Sequence, residues 1–145
     1  MYINQKRLAV IGLLIPVLTL LTGARGSAPM HESVPIPVVE GMTAEQVSKA
    51  LRMALEGRGW TVDGTRLSQG DDPCVIDSTL HVRIHMVKIK IKVEFDDSAI
   101  RIHYVDSANM GYRETRRGKF IHPKYTTWLN NIERDIKSKM LLLQP

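Results

Sequence analysis

Val87-Lys88-Ile89-Lys90-Ile91-Lys92-Val93-Glu94-Phe95 is the stretch that decides the fold. Apolar and charged side chains alternate at a period of two, the pattern of a β-strand with one buried and one wet face. Asp96-Asp97-Ser98 follows as a hairpin connection, and Ile100, Ile102 and Tyr104 carry the inward set onto a next strand. Upstream, Ile76, Leu80 and Val82, with Ile84 at the end, line one face of a preceding strand. Trp60 and Val62 share a side of a short first strand, in which Gly64 marks a turn or bulge. The break before Val87 falls near Arg83 to Met86, because one strand from Cys74 to Phe95 would far exceed the usual limit of about ten residues.

Helical periodicity flanks these strands on both sides. Thr43-Ala44-Glu45-Gln46 reads as a capping box, in which the Thr and Gln side chains satisfy free backbone donors of a first turn. Val47, Ala50, Leu51, Ala54 and Leu55 then form one apolar stripe, ended by Gly57 or Gly59. After a polar, arginine-rich loop from Ser107 to Gly118, a last helix starts near Pro123. Tyr125, Trp128, Leu129, Ile132 and Ile136 form its stripe. Strands that are apolar on one side only need a cover on that side, and two amphipathic helices supply it. The expectation is a two-layer α+β domain, a three- to four-stranded antiparallel meander with both helices on one face and the other face open.

The chain has 145 residues, the length of one domain with an appendage. Its 43% apolar and 24% charged content excludes a disordered chain. A lone Cys74 excludes an internal disulfide framework. Residues 1–26 read as an export signal: Lys6 and Arg7, then an apolar stretch from Leu8 to Thr22, then small residues around Ala24 and Gly26 that suit cleavage before Ser27. The apolar stretch is shorter than the roughly 20 residues of a bilayer span; an uncleaved N-terminal anchor is the other reading of the same order. Removing Lys6, Arg7 and Arg25 leaves 17 basic against 15 acidic residues, a net of +2, so the whole-chain charge of +5 is no nucleic-acid footprint. Residues 27–41, with Pro29, Pro35 and Pro37, read as a tether or extended arm, and residues 42–145 as the single domain.

Arg58-Gly59-Trp60, Arg83-Ile84-His85, the run from Tyr104 to Tyr112 and Ile121-His122-Pro123-Lys124-Tyr125 with Trp128, Asn131, Asp135 and Ile136 carry a resemblance. Over roughly residues 43–137 the chain resembles a family of small, uncharacterised bacterial envelope proteins, many of them predicted lipoproteins. The resemblance implies a compact α+β body and a place in the envelope, and attaches no activity to any residue. Leu21-Thr22-Gly23 is similar to a lipoprotein signal box, but Ala24 stands where the lipid-bearing cysteine would, so the chain as written is not lipidated.

Two groups of residues are candidate sites. Alternation turns His81, Arg83 and His85 outward, then Lys88, Lys90 and Lys92, then Arg101 and His103, with Glu94 nearly the only acid among them. Such a stripe fits an anionic glycan, phospholipid headgroups or nucleic acid, and equally a solvated face that discourages aggregation. Nucleic acid is the weaker partner, since no outward aromatic is there for base stacking. His81 and His85 lie about 13 Å apart on one straight strand, too far to share a metal ion unless a turn or a cross-strand His103 intervenes, and neighbouring cations oppose one; no metal is expected, and no cofactor.

The second group is Ser107, Asn109, Tyr112, His122, Tyr125 and Asn131, where a loop and a helix start converge on a small polar pocket. Its plain reading is structural, with Ser107 and Asn109 shaping the loop and His122 capping the helix or docking the loop. A hydrolase centred on Ser107 and His122 is the remaining alternative, although no nucleophile-elbow glycine pattern surrounds the serine. The expected protein is therefore an exported, non-enzymatic binding or accessory module of the periplasm or envelope. Its partner would be an envelope protein or an anionic envelope component, with membrane contact only through an uncleaved signal or a weak surface.

Overall fold

The computed structural model describes residues 26–68, 70–82 and 86–145. The export-signal reading up to Arg25, with Ala24, and the candidates Arg83 and His85 lie outside the described residues, as does the side chain of His81. Ten elements follow in order: β1 Ala28–Pro29, β2 Ile36–Pro37, α1 Ala44–Gly57, β3 Trp60–Arg66, β4 Cys74–Val82, β5 Val87–Phe95, β6 Ala99–Ala108, β7 Arg113–Thr115, β8 Gly118–Ile121 and α2 Lys124–Leu143. The fold is α+β, with two antiparallel sheets and two helices.

β5 carries the alternation into the structure. Val87, Ile89, Ile91, Val93 and Phe95 are buried, while Lys88 and Lys90 are exposed and Lys92 and Glu94 half-buried. β3, β4, β5 and β6 form the expected meander, each strand pairing with the next. Inward from β4 come Ile76, Ser78 and Leu80. The Ser78 hydroxyl donates to the Thr61 carbonyl at 2.7 Å, which satisfies a polar group that burial would otherwise penalise.

Both helices bury their stripes in the core that receives these strands. α1 begins at the expected capping box: the Thr43 hydroxyl accepts from the Gln46 N–H and the Gln46 side chain accepts from the Thr43 N–H. It ends where Gly59 takes a left-handed backbone, φ 80, which costs a glycine little. α2 lays Tyr125, Leu129, Ile132, Ile136 and Met140 on the same core. Two ties show that the helices run antiparallel: Gln46 near the start of α1 donates to the Leu143 carbonyl, and Arg58 at its end forks onto Asp135 at 2.6 and 3.1 Å.

The structure departs from expectation in two places. The arm does not hang free, because β2 adds a fifth strand to the edge of the meander and buries Ile36 (2% exposed) against it, while β1 pairs with β8. Pairs only two residues long leave no periodicity for a sequence reading to detect. The stretch from Ser107 to Gly118 is not one loop: β6 runs on to Ala108, and β7 and β8 form a hairpin that, with β1, makes a second, three-stranded sheet.

Candidate functional site

Among the described residues no second layer covers the outer face of the larger sheet, and cross-strand register fixes what stands there. Lys92 lies between Asp77 of β4 and His103 of β6, and Lys90 between Thr79 and Asp106. Glu94 lies between Val75 and Arg101, and Lys88 between His81 and Ala108. Glu94 is the acid among the positions that alternation picks out, and the register adds Asp77 and Asp106 to the same face. The Thr79 hydroxyl also donates to Asp63, a third acid, at the bulge between Val62 and Gly64 in β3. Arg101 donates to Asp96 at 3.0 Å and His103 approaches Glu94 at 3.3 Å, so two residues of the expected stripe face acids. Lys88, Lys90 and Lys92 make no ion pair within 4 Å among the described residues. Asp63, Asp77, Thr79, Lys88, Lys90 and Val105 line a shallow concavity of about 510 Å³ over the central strands.

Asp106 reaches this face through a bulge. Lys90 pairs with Asp106 and Ile91 with Tyr104, so Val105 has no partner and the alternation slips by one residue. Strict alternation from Arg101 and His103 would have turned Ser107 outward. Instead Ser107 pairs with Ile89 on the covered side, and its hydroxyl lies 2.8 Å from that of Tyr104.

The second expected group is dispersed. Asn109 donates to the Met86 carbonyl at 2.9 Å, and Asn131 accepts from Arg134 at 2.6 Å. The His122 N–H donates to the Met110 carbonyl, and its Nδ1 accepts from the Lys124 N–H at 3.1 Å. His122 thus docks the preceding loop and accepts the first N–H of α2, and each polar group of Ser107 and His122 that bonds has a partner other than the opposite residue. Tyr112 and Tyr125 do meet, through Tyr104, which the alternation of β6 places as an inward strand residue. Tyr112 stacks on Tyr104 at 4.7 Å between centroids, and Tyr125 meets the same ring edge-on at 5.8 Å.

Beside Tyr104, between β6 and the arm, lies a cavity of about 220 Å³ walled by Arg101, His103, Tyr104, Lys119 and Tyr125 and bordered by arm residues such as Ser33. Ser33 donates to Glu133 at 2.7 Å and so fastens the arm to α2. Burial, with Tyr104, Glu133 and Glu32 adding smaller repulsions, pushes the Tyr125 phenol up to about 12, and burial also raises that of Tyr104. Both hydroxyls stay protonated near neutral pH. Only the docked arm creates this cavity, so no local pattern announces it.

Chemically the described sites offer hydrogen bonds and charge. Cys74 is buried and accepts the Ser68 N–H at 3.3 Å, a setting that hides a thiol rather than activating it. Among the described residues no three metal-ligating side chains come together, and no helix is long and apolar enough to cross a membrane. Comparison with protein-family models, with curated proteins and with solved structures finds no match for this chain.

Proposed function

We propose that this chain is an exported, non-enzymatic binding module of the bacterial envelope, and that it binds a protein partner through the uncovered face of its larger sheet. One observation carries the reading: Lys88, Lys90 and Lys92 stand in a row on an open face, with Asp77 and Asp106 set directly across from two of them. Cross-strand neighbours on one face are held about 5 Å apart. Charges of both signs at fixed spacing match a surface of complementary pattern, whereas a polyanion would meet aspartate nearly as often as lysine. A protein surface therefore fits better than a glycan, a headgroup layer or nucleic acid. The positive, apolar and small-residue order of residues 1–26 supports export. The engagement of Ser107 with Tyr104, and of His122 with the start of α2, supports a role without catalysis.

The test compares Lys90→Glu/Lys92→Glu with Asp77→Lys/Asp106→Lys in retaining envelope proteins, heparin and anionic vesicles. A protein partner is expected to be lost about tenfold or more in both variants, since each breaks one half of the pattern. A polyanion is expected to be lost from the lysine variant and held more tightly by the aspartate variant. Retention of every probe at the unmodified level by both variants removes the sheet face as the binding surface.

A further inference from the structure

One end of the domain brings several features together. β4 ends there at Val82, β5 begins at Val87, and the chain turns from Met110 through His122 into α2. Val82, Val87, Met110, His122, Lys124 and Trp128 line a groove of about 320 Å³ at this end. Asn109, which also lines it, donates to the Met86 carbonyl at 2.9 Å, just ahead of β5. The Met86 side chain is 73% exposed, the most exposed large apolar group among the described residues. Its backbone is left-handed, φ 49, where glycine or asparagine is favoured. A methionine held there in water is unfavourable twice over, a combination that marks functional positions more often than structural ones. Lys88 and Lys124 are exposed at the same end, and the groove's lining contains no acid.

The N-terminal segment leaves from this end too. Ala28 pairs with Ile121, and a side chain on Gly26 would start 3.6 Å from the His122 ring. Three residues lie between Thr22, the end of the apolar stretch, and Gly26, so four peptide steps give a reach of at most about 14 Å. Wherever residues 8–22 are embedded, the groove is held within that distance. The pairing of Ala28 also leaves the Gly26–Ser27 bond little freedom to be drawn out as an extended protease substrate once the body has folded.

We infer that this end of the domain rests on a lipid bilayer with anionic headgroups: Met86 and Trp128 enter the interfacial layer, and Lys88 and Lys124 face the phosphates. An indole with an apolar body and a polar edge is suited to that layer, lysine stems reach from apolar surface to charged headgroups, and methionine adapts to a disordered apolar surrounding. The bilayer is the occupant on the reading in which residues 1–25 stay as an uncleaved anchor, since the apolar stretch then brings it there, and Lys88 and Lys124, exposed at this end, are both positive.

The proposal does not depend on the sheet-face reading; Lys88 belongs to both surfaces, so Lys124→Glu alone, which lies off that face, is tested beside the double variant. The full chain is made as Met86→Cys and, separately, as Asp97→Cys in the β5–β6 turn at the opposite end of the sheet, about 27 Å away along β5. Each is labelled with an environment-sensitive fluorophore, Cys74 being buried, and floated with phosphatidylethanolamine–phosphatidylglycerol vesicles. The label at 86 is expected to shift to the blue and brighten while the label at 97 stays wet. Lys88→Glu/Lys124→Glu is expected to weaken the response at 86 about fivefold or more. A response at both positions or at neither, or failure of the chain to float, overturns the proposal. So does a response at 86 that the two charge reversals leave intact.

Discussion

Lys90 of β5 stands directly across from Asp106 of β6 because Val105 is looped out of the ladder between that pair and the next. This single unpaired residue turns an acid onto a face that strict alternation would have left to Val105 and Ser107. Val105 itself is half exposed, as a bulged residue on an uncovered face would be.

The three lysines of β5 should accordingly differ in what they contribute. Lys90→Glu and Lys92→Glu place like charges opposite Asp106 and Asp77, and each is expected to cost roughly 0.2–1 kcal/mol. Lys88→Glu meets no acid across either strand and should leave stability unchanged. Urea unfolding of the three variants checks the order, and Lys90→Glu/Asp106→Lys should recover what Lys90→Glu loses. Equal losses at all three positions would show that net charge matters and register does not.

Tyr125 predicts an alkaline limit to stability. Its phenol is raised from 10.0 to about 12 in the folded state. Below pH 10 both folded and unfolded chains keep the proton, and pH has no leverage through this group. Between pH 10 and about 12 the unfolded chain releases the proton while the folded chain holds it, so stability falls as pH rises. The loss is on the order of 2 kcal/mol by pH 12. Tyr125→Phe should flatten this part of the pH profile in thermal or urea unfolding, and an unchanged slope would reject the assignment.

Asp96 should matter at the acid end. One carboxylate oxygen accepts from the Ser98 N–H at 2.8 Å, the Ser98 hydroxyl at 2.6 Å and the Ala99 N–H at 2.8 Å, while the other takes Arg101. The Ser98 hydroxyl first, then the Ala99 N–H and Arg101, hold the carboxyl well below the usual carboxylate range. A depressed folded value contributes stability above the unfolded value of 3.8 that is lost as pH falls below it. Asp96→Ala is expected to cost about 1–2 kcal/mol at pH 7 by breaking the turn's bonds. Asp96→Asn, which keeps one accepting oxygen, should cost less. Chemical denaturation at pH 7 and pH 3 separates the two contributions.

Docking of the arm is tested at Ile36. It is buried beneath the sheet edge and pairs with Ile100, so Ile36→Ala is expected to cost about 2–4 kcal/mol. It should also open residues 30–38 to limited proteolysis. A variant as stable as the parent chain would return the arm to the role of a free tether.

Much of this architecture could be read in advance. The alternation in β5 placed Lys88, Lys90 and Lys92 on the open face, Thr43 with Gln46 marked the start of α1, and Gly64 marked the bulge in β3. Asp77 sits one residue past Ile76 and obeys the same alternation, so its outward place lay within the pattern. Asp106 did not, because no residue type near Val105 announces a bulge. The tyrosine cluster was half legible: Tyr112 and Tyr125 stood in one candidate group, but Tyr104, the ring that joins them, looked like any inward strand residue.

By itself the sequence determined which residues form each long helix and strand and which side of each is apolar, since backbone geometry converts a repeat of two or of three to four residues directly into a face. Tertiary structure alone decided where β6 slips phase, that the proline-containing arm closes onto the sheet edge, and that the arm, β6 and α2 enclose a cavity. Those features depend on pairings such as Ile36 with Ile100 and Ala28 with Ile121, between segments far apart in the chain. Such pairings become favourable only after the intervening residues have folded and repaid the entropy of closing the loop between them.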